Sequence, residues 1–110
     1  MAIKYLGKIT SVTFGIHDDY MFGCVFWFSM SGGSLVVCSG TKYLVNRENL
    51  FFGDNMTTAT EEFMEIIADI DEILKCAKVN MIDELAGIPV EVTIDDSNSF
   101  QDFRILEEVL

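Results

Sequence analysis

Residues 20–30 read YMFGCVFWFSM. Side chains of an extended chain alternate between two faces. Phe22, Cys24, Phe26, Phe28 and Met30 therefore share one face, and Met21, Val25 and Trp27 share the other. Aromatic and β-branched residues favour strands, and a strand apolar on both faces belongs in the middle of a sheet with cover on each side. The reading of the whole chain turns on what flanks this strand and what covers it.

The preceding segment, residues 7–17 (GKITSVTFGIH), alternates in the same way. Val12, Phe14 and Ile16 fall on one face, Ser11, Thr13 and Gly15 on the other, and His17-Asp18-Asp19-Tyr20 supplies the turn. Beyond the central strand, Ser31-Gly32-Gly33-Ser34 is hairpin chemistry, because a Gly-Gly loop accepts positive φ. Residues 34–39 (SLVVCS) return as a third strand. If Gly32-Gly33 is the entire loop, Trp27 stands opposite Cys38, and Cys24 points to the other face. That register excludes a Cys24–Cys38 disulfide.

Residues 40–56 (GTKYLVNRENLFFGDNM) hold two apolar islands, Tyr43-Leu44-Val45 and Leu50-Phe51-Phe52, around a polar NREN. They read as a short edge strand and a long loop crossing to a helix. Residues 58–78 are that helix. Phe63, Ile66, Ile67, Ile70, Leu74 and Ala77, with Ile73 beside them, form one stripe at helical period. Thr58 and Glu61 have capping-box spacing, and the late Lys75 and Lys78 suit the helix dipole. Glu61, Glu62, Glu65, Asp69, Asp71 and Glu72 fill the remaining arc.

Asn80 to Ala86 can make a helical turn ended by Gly87, after which Pro89 opens a strand. Val90, Val92 and Ile94 alternate with Glu91, Thr93 and Asp95, one buried face and one wet face. Asp96-Ser97-Asn98-Ser99 is a turn, and residues 100–109 read as a closing strand with Phe103, Ile105 and Val109 in register. The expected fold is α+β: an N-terminal antiparallel β-meander, one long amphipathic helix, and a C-terminal β-hairpin completing a sheet or small barrel, all in a single domain of residues 1–110. The helix covers one face of the central strand. The C-terminal hairpin is the first candidate to cover the Trp27 face, with a second protomer or another partner as the alternative.

Charge is divided unevenly along the 110 residues. Residues 1–53 hold four cations and three carboxylates, a net of +1; residues 54–110 hold fifteen carboxylates and three cations, a net of −12. A total of −11 opposes direct nucleic-acid binding and anionic membrane surfaces, and suits either a basic protein partner or plain solubility. Half the residues are hydrophobic, enough for a folded core. No apolar run is long enough to span a membrane, and MAIKYLGKITS lacks the apolar centre of a signal peptide, so the expected location is cytoplasmic. Cys24, Cys38 and Cys76 show no C-x-x-C spacing and read as reduced structural cysteines.

Catalytic chemistry is thin. His17 is the single histidine, and Cys24 and Cys38 lie inside apolar strands where a thiolate is disfavoured. His17-Asp18-Asp19 are too close in sequence to converge on one metal ion, and Asp95-Asp96-Ser97-Asn98-Ser99 lacks the glycine and distal glutamate of an EF-hand. No glycine-rich phosphate loop opens a helix. The reading is no enzyme, no metal and no cofactor.

Gly7-Lys8-Ile9-Thr10, Met21-Phe22-Gly23, and above all residues 85–93 (LAGIPVEVT) and 103–110 (FRILEEVL) resemble a family of small uncharacterised accessory proteins of phage and prophage genomes. These segments cover about a third of the chain and are mostly fold signals. The resemblance implies a viral or prophage origin, hence the cytoplasm of a host cell, and assigns no activity. The leading expectation is a non-enzymatic, phage-encoded binding protein that inhibits a host defence system. It would occlude a basic surface with Glu61, Glu62, Glu65, Asp69 and Glu72 and the acidic tail. The alternatives are a binder of nucleotide-like small molecules, with Tyr20, Trp27, Tyr43, Phe51 and Phe52 lining a pocket at a homodimer seam, and a virion or assembly component.

Overall fold

The computed structural model describes residues 2–30, 36–52 and 56–110, the side chain of Met56 excepted. β1 (Ile3–His17) and β2 (Met21–Met30) form a long antiparallel ribbon. Asp18 and Asp19 turn it with positive φ, which aspartate tolerates better than most residues. β3 (Val36–Cys38) and β4 (Leu44–Asn46) both line the far side of β2, and β5 (Pro89–Ile94) and β6 (Phe100–Ile105) extend the sheet from β1. The hydrogen-bonded order is β3-β2-β1-β5-β6, with β4 also on β2. This is the α+β meander, helix and hairpin read from the sequence, as an open sheet: among the described residues no ladder joins β6 back to β3.

The sheet curls strongly. Phe28 and Phe26 of β2 lie 4.9 and 5.3 Å from Phe103 of β6 although β1 and β5 separate the two strands, and Phe28 stacks on Phe100 at 5.5 Å. These rings, with Ile9, Val90, Val92 and Ile105, fill the concave side. α2 (Met56–Ala77) closes it, bridging β4 and β6 with Ala59, Ile66, Ile70 and Ala77 buried. The buried stripe is narrower than the expected one: Ile67 lies at its margin and is 37% exposed. The helix begins at Met56, so Thr58 sits inside it and does not cap it.

Gly15 and Gly23 face each other across the ribbon at φ 151 and 143, a region that disfavours side chains. A Cβ on Gly23 would stand 2.1 Å from the Tyr43 carbonyl oxygen, so β4 can approach β2 only because this residue is glycine. The Gly32-Gly33 loop lies outside the described residues, but the register across it is the expected one, Trp27 opposite Cys38. Cys24 is buried on the concave face, Cys38 lies beside Trp27 on the convex one, and all three cysteines are free thiols.

Three expectations are corrected, and a fourth is borne out. NREN is not loop: Asn46 caps a short helix α1 (Arg47–Phe51), its Oδ1 accepting from the amides of Glu48 at 2.9 Å and Asn49 at 3.3 Å. The closing strand stops at Ile105, and Val109, 64% exposed, belongs to a 3₁₀ turn over Glu107–Val109. The helical turn expected before Gly87 is present as a second 3₁₀ turn, Ile82–Leu85, which runs past β1; the Gly87 amide donates to the Ile9 carbonyl. The C-terminal hairpin continues the sheet instead of covering it, so on the convex face of β2 Trp27 is 41% exposed, while Val25 beside it is buried by its neighbours. Over β5 and β6 that same face is a wet charge network, with Arg104 between Glu91 at 3.1 Å and Glu108 at 3.2 Å.

The two faces of β2 predict opposite responses to truncation. Phe28→Ala empties the middle of the core and is expected to cost about 3–5 kcal/mol; Trp27→Ala, one residue away on the bare face, is expected to cost under about 1 kcal/mol. Urea unfolding of both variants at constant m-value measures the difference.

Candidate functional site

Three surfaces hold the residues that the sequence singles out. The first is one flank of α2. At 100° per residue, Glu61, Glu62, Glu65, Asp69 and Glu72 occupy a single arc about 100° wide. All five are exposed, and among the described residues none takes part in an ion pair. The flank faces β4 across a groove of about 210 Å³ lined by Glu62, Glu65, Asp69, Lys42 and Leu44. Lys42 does not neutralise it, because its ammonium donates to Asp102 Oδ1 and the Gln101 carbonyl, each at 3.2 Å. Past Glu72 the negative charge continues to Glu107. Desolvation, a hydrogen bond to Glu72 Oε1 at 3.5 Å and the charge of Glu107 together hold the Cys76 thiol above its ordinary range.

The second surface is a cleft of about 490 Å³ on the convex face. Val25, Trp27, Cys38 and Leu44 make it apolar, and His17 and Asp18 supply its polar end. His17 Nε2 lies 3.0 Å from Thr13 Oγ1, and its Nδ1 is buried without a partner among the described residues. Cys38 and His17 share the cleft, but no hydrogen bond joins them among the described residues, so the nucleophile–base contact of a cysteine enzyme is not formed.

The third surface was not legible as a unit. Phe22 lies within ring contact of Phe14 (5.5 Å), Phe63 (5.7 Å) and Phe51 (6.1 Å), and Phe51 of Phe52 (6.3 Å). Phe14, Phe51 and Phe52 are exposed, Phe52 to 81%. They form an apolar shelf at the distal end of the ribbon. The available signal was the Asn46 cap, which turns residues 47–51 into a helix and brings Phe51 over Phe22.

The five aromatics expected to line one pocket are therefore dispersed. Tyr20 is exposed at the β1–β2 turn, Trp27 walls the convex cleft, and Phe51 and Phe52 belong to the shelf. Tyr43 is no surface residue at all: it is 3% exposed, 5.0 Å from Phe26, and burial followed by the charges of Asp102 and Asp69 drives its hydroxyl far above the ordinary tyrosine range. Among the described residues no three histidine, cysteine or acidic side chains gather as metal ligands. Asp95 is occupied by its own turn, its Oδ1 accepting from Ser97 Oγ at 2.7 Å and from the amides of Ser97 and Ser99, which lower its pKa. No helix of the described residues is long and apolar enough to cross a membrane. Compared with family models, curated proteins and solved structures, the chain matches none.

Burial pushes the Cys24 thiol up to about 11 from an ordinary 9.0. Thiolate is the reactive form, so at pH 8 native Cys24 is expected to alkylate about a hundredfold more slowly than in the unfolded chain. Because the folded pKa is the higher one, this group's contribution to stability is intact below pH 9 and is lost as pH rises through 11. Mass-resolved labelling with and without urea checks the first statement, and urea midpoints of the protein and of Cys24→Ala from pH 8 to 11 check the second.

Proposed function

We propose that this chain is a non-enzymatic binding protein that acts by occlusion, laying the acidic flank of α2 on a basic protein surface. The observation that carries the reading is the run Glu62, Glu65 and Asp69, with Glu61 and Glu72 beside it, exposed on one arc and unmatched by any cation among the described residues. A solvated helix of ordinary function commonly mixes lysines among its acids at i, i+4; here Asp71–Lys75 is such a pair, and it lies off the arc. A row of carboxylates on a rigid helix repeats the sign and rough spacing of a phosphate array, which suits a partner surface built for nucleic acid. On the resemblance to phage accessory proteins, the partner we propose is a host protein, and a defence protein is the kind of target that occlusion disables.

The test reverses charge without touching the core. The variant Glu62→Lys, Glu65→Lys, Asp69→Lys should fold with an unchanged circular dichroism spectrum. The unaltered protein should retain a stoichiometric basic protein from bacterial lysate at low salt and release it at about 0.5 M, where the Debye length is a few ångströms. The triple variant should retain none. Equal retention by both proteins contradicts the reading.

The Trp27 cleft favours a second reading, a small planar ligand stacked on the indole with His17 and Asp18 at its polar end. Trp27 is the single tryptophan, so its fluorescence reports this site alone. Saturable quenching by a nucleotide, accompanied by a concentration-dependent rise in melting temperature, supports this reading; an unchanged spectrum across the common nucleotides removes them as ligands.

A further inference from the structure

Building on the second reading, in which the Trp27 cleft seats a planar ligand, we infer that this ligand is a small organic cation: an aromatic amine whose ring lies on the indole and whose ammonium faces Asp18.

The cleft is built from three strands and a pinned turn. Trp27 of β2 stands opposite Cys38 of β3, and Leu44 of β4 takes up two turns of the pleat further along, opposite Gly23. These side chains, with Val25, make an apolar floor. Gly40 and Thr41, between β3 and β4, form one side. That side is fixed from beneath, because Ser39 Oγ accepts from the Phe26 amide at 2.9 Å, the Ser39 amide donates to the Phe26 carbonyl at 2.9 Å, and Tyr43 is buried in the core. Ile16, His17 and Asp18, at the end of β1, form the other side. The His17 ring is held by Thr13 Oγ1 at 3.0 Å. The volume of about 490 Å³ falls within the range of roughly 300–1,000 Å³ usual for small-molecule sites.

Charge selects the ligand. Among the described residues lining the cleft, Asp18 is the one carboxylate, and no lysine or arginine is there. Asp18 takes part in no ion pair among the described residues. Arg47, at the start of α1, does not line the cleft; its guanidinium donates to the Asp19 carbonyl at 3.5 Å. The net charge of −11 adds a field that draws cations in and opposes anions. A nucleotide would bring its phosphates against Asp18, and a neutral ligand would leave that carboxylate unmatched.

The indole supplies the other half of the recognition. Tryptophan has the aromatic face that attracts cations best, and a flat ring stacks on it. A bare metal ion would leave the floor of Val25, Trp27, Cys38 and Leu44 uncovered, and no three ligating side chains gather there among the described residues. An amine carried on an aromatic ring meets both requirements: hydrocarbon for the floor and one positive charge for Asp18.

Three probes of matched shape test this: naphthylethylamine, naphthylethanol and naphthylacetate, which are cationic, neutral and anionic. Each is titrated into the full chain while the Trp27 indole N–H and the amides of Val25 and Thr41 are followed by NMR. The amine should saturate with a dissociation constant of about 0.1–1 mM. It should bind about tenfold more tightly than the alcohol, with naphthylacetate weakest. Raising salt to about 0.5 M should narrow the lead of the amine. Asp18→Asn removes the charge and keeps a residue that tolerates the φ of 54 at this position; in it the amine should bind no better than the alcohol. Trp27→Ala should weaken all three probes. Equal binding of amine and alcohol to the unaltered protein, or a lead of the amine that survives in Asp18→Asn, overturns the cation and leaves the cleft a ligand site. No shift at Trp27, Val25 or Thr41 with any probe at about 10 mM overturns the cleft reading and the cation with it. Should either variant fail to fold, the order of the three probes on the unaltered protein decides.

Discussion

Between Ile9 and Ser11 the register of β1 against β2 slips by one residue, and Thr10, the extra residue, turns its hydroxyl onto the Trp27 carbonyl at 3.1 Å. A one-residue slip moves every later side chain to the other face. Before the bulge the odd residues Tyr5, Gly7 and Ile9 stand opposite Val92, Val90 and Phe28, all of them inward. After it the even residues Val12, Phe14 and Ile16 stand opposite Phe26, Cys24 and Phe22. The bulge thus keeps one continuous inward row along a fifteen-residue strand that serves β5 with its first half and β2 alone with its second. Without it Phe14 would lie on the convex face, and Phe22 would lose its ring partner on β1.

From that strand follows an asymmetry in what is covered. The concave side is sealed by rings from both ends of the sheet and by α2. The convex side has a charge network over β5 and β6 and a bare apolar cleft over β2 and β4. The distal ribbon, beyond the reach of β5, has an open edge and an aromatic shelf. Each surface differs in chemistry: carboxylates on the helix flank, an indole with a histidine in the cleft, uncharged backbone and rings at the edge.

Much of this was legible in the residues. The period-2 pattern of residues 21–30 and 89–94 gave both strands within a residue, Pro89 marked the start of β5, and the Gly-Gly reading gave the Trp27–Cys38 register. The helix was clear because its apolar stripe recurs at 3.6, though Ile67 belongs to it by spacing and not by burial. Three things were hidden for physical reasons. The bulge sits at Thr10-Ser11, two polar β-formers that carry no signal of a slip. Asn46 reads equally well as turn or cap, and only its position after a paired strand makes it a cap. Tyr43 looks like a surface ring beside Lys42, and becomes core only because the curl of the sheet brings Phe26 and Phe103 against it. The acidic arc was legible residue by residue; the shelf was not, since its members come from β1, α1 and α2.

Native-state hydrogen exchange along β1 tests the two-halved strand most directly. Residues 3–9 are held between β2 and β5 and should exchange slowly throughout. In residues 11–17 protection should alternate, with Ser11, Thr13 and Gly15 slow and Val12, Phe14 and Ile16 fast. Uniform slow exchange across 11–17, or the opposite alternation, would contradict both the bulge at Thr10 and the open edge that depends on it.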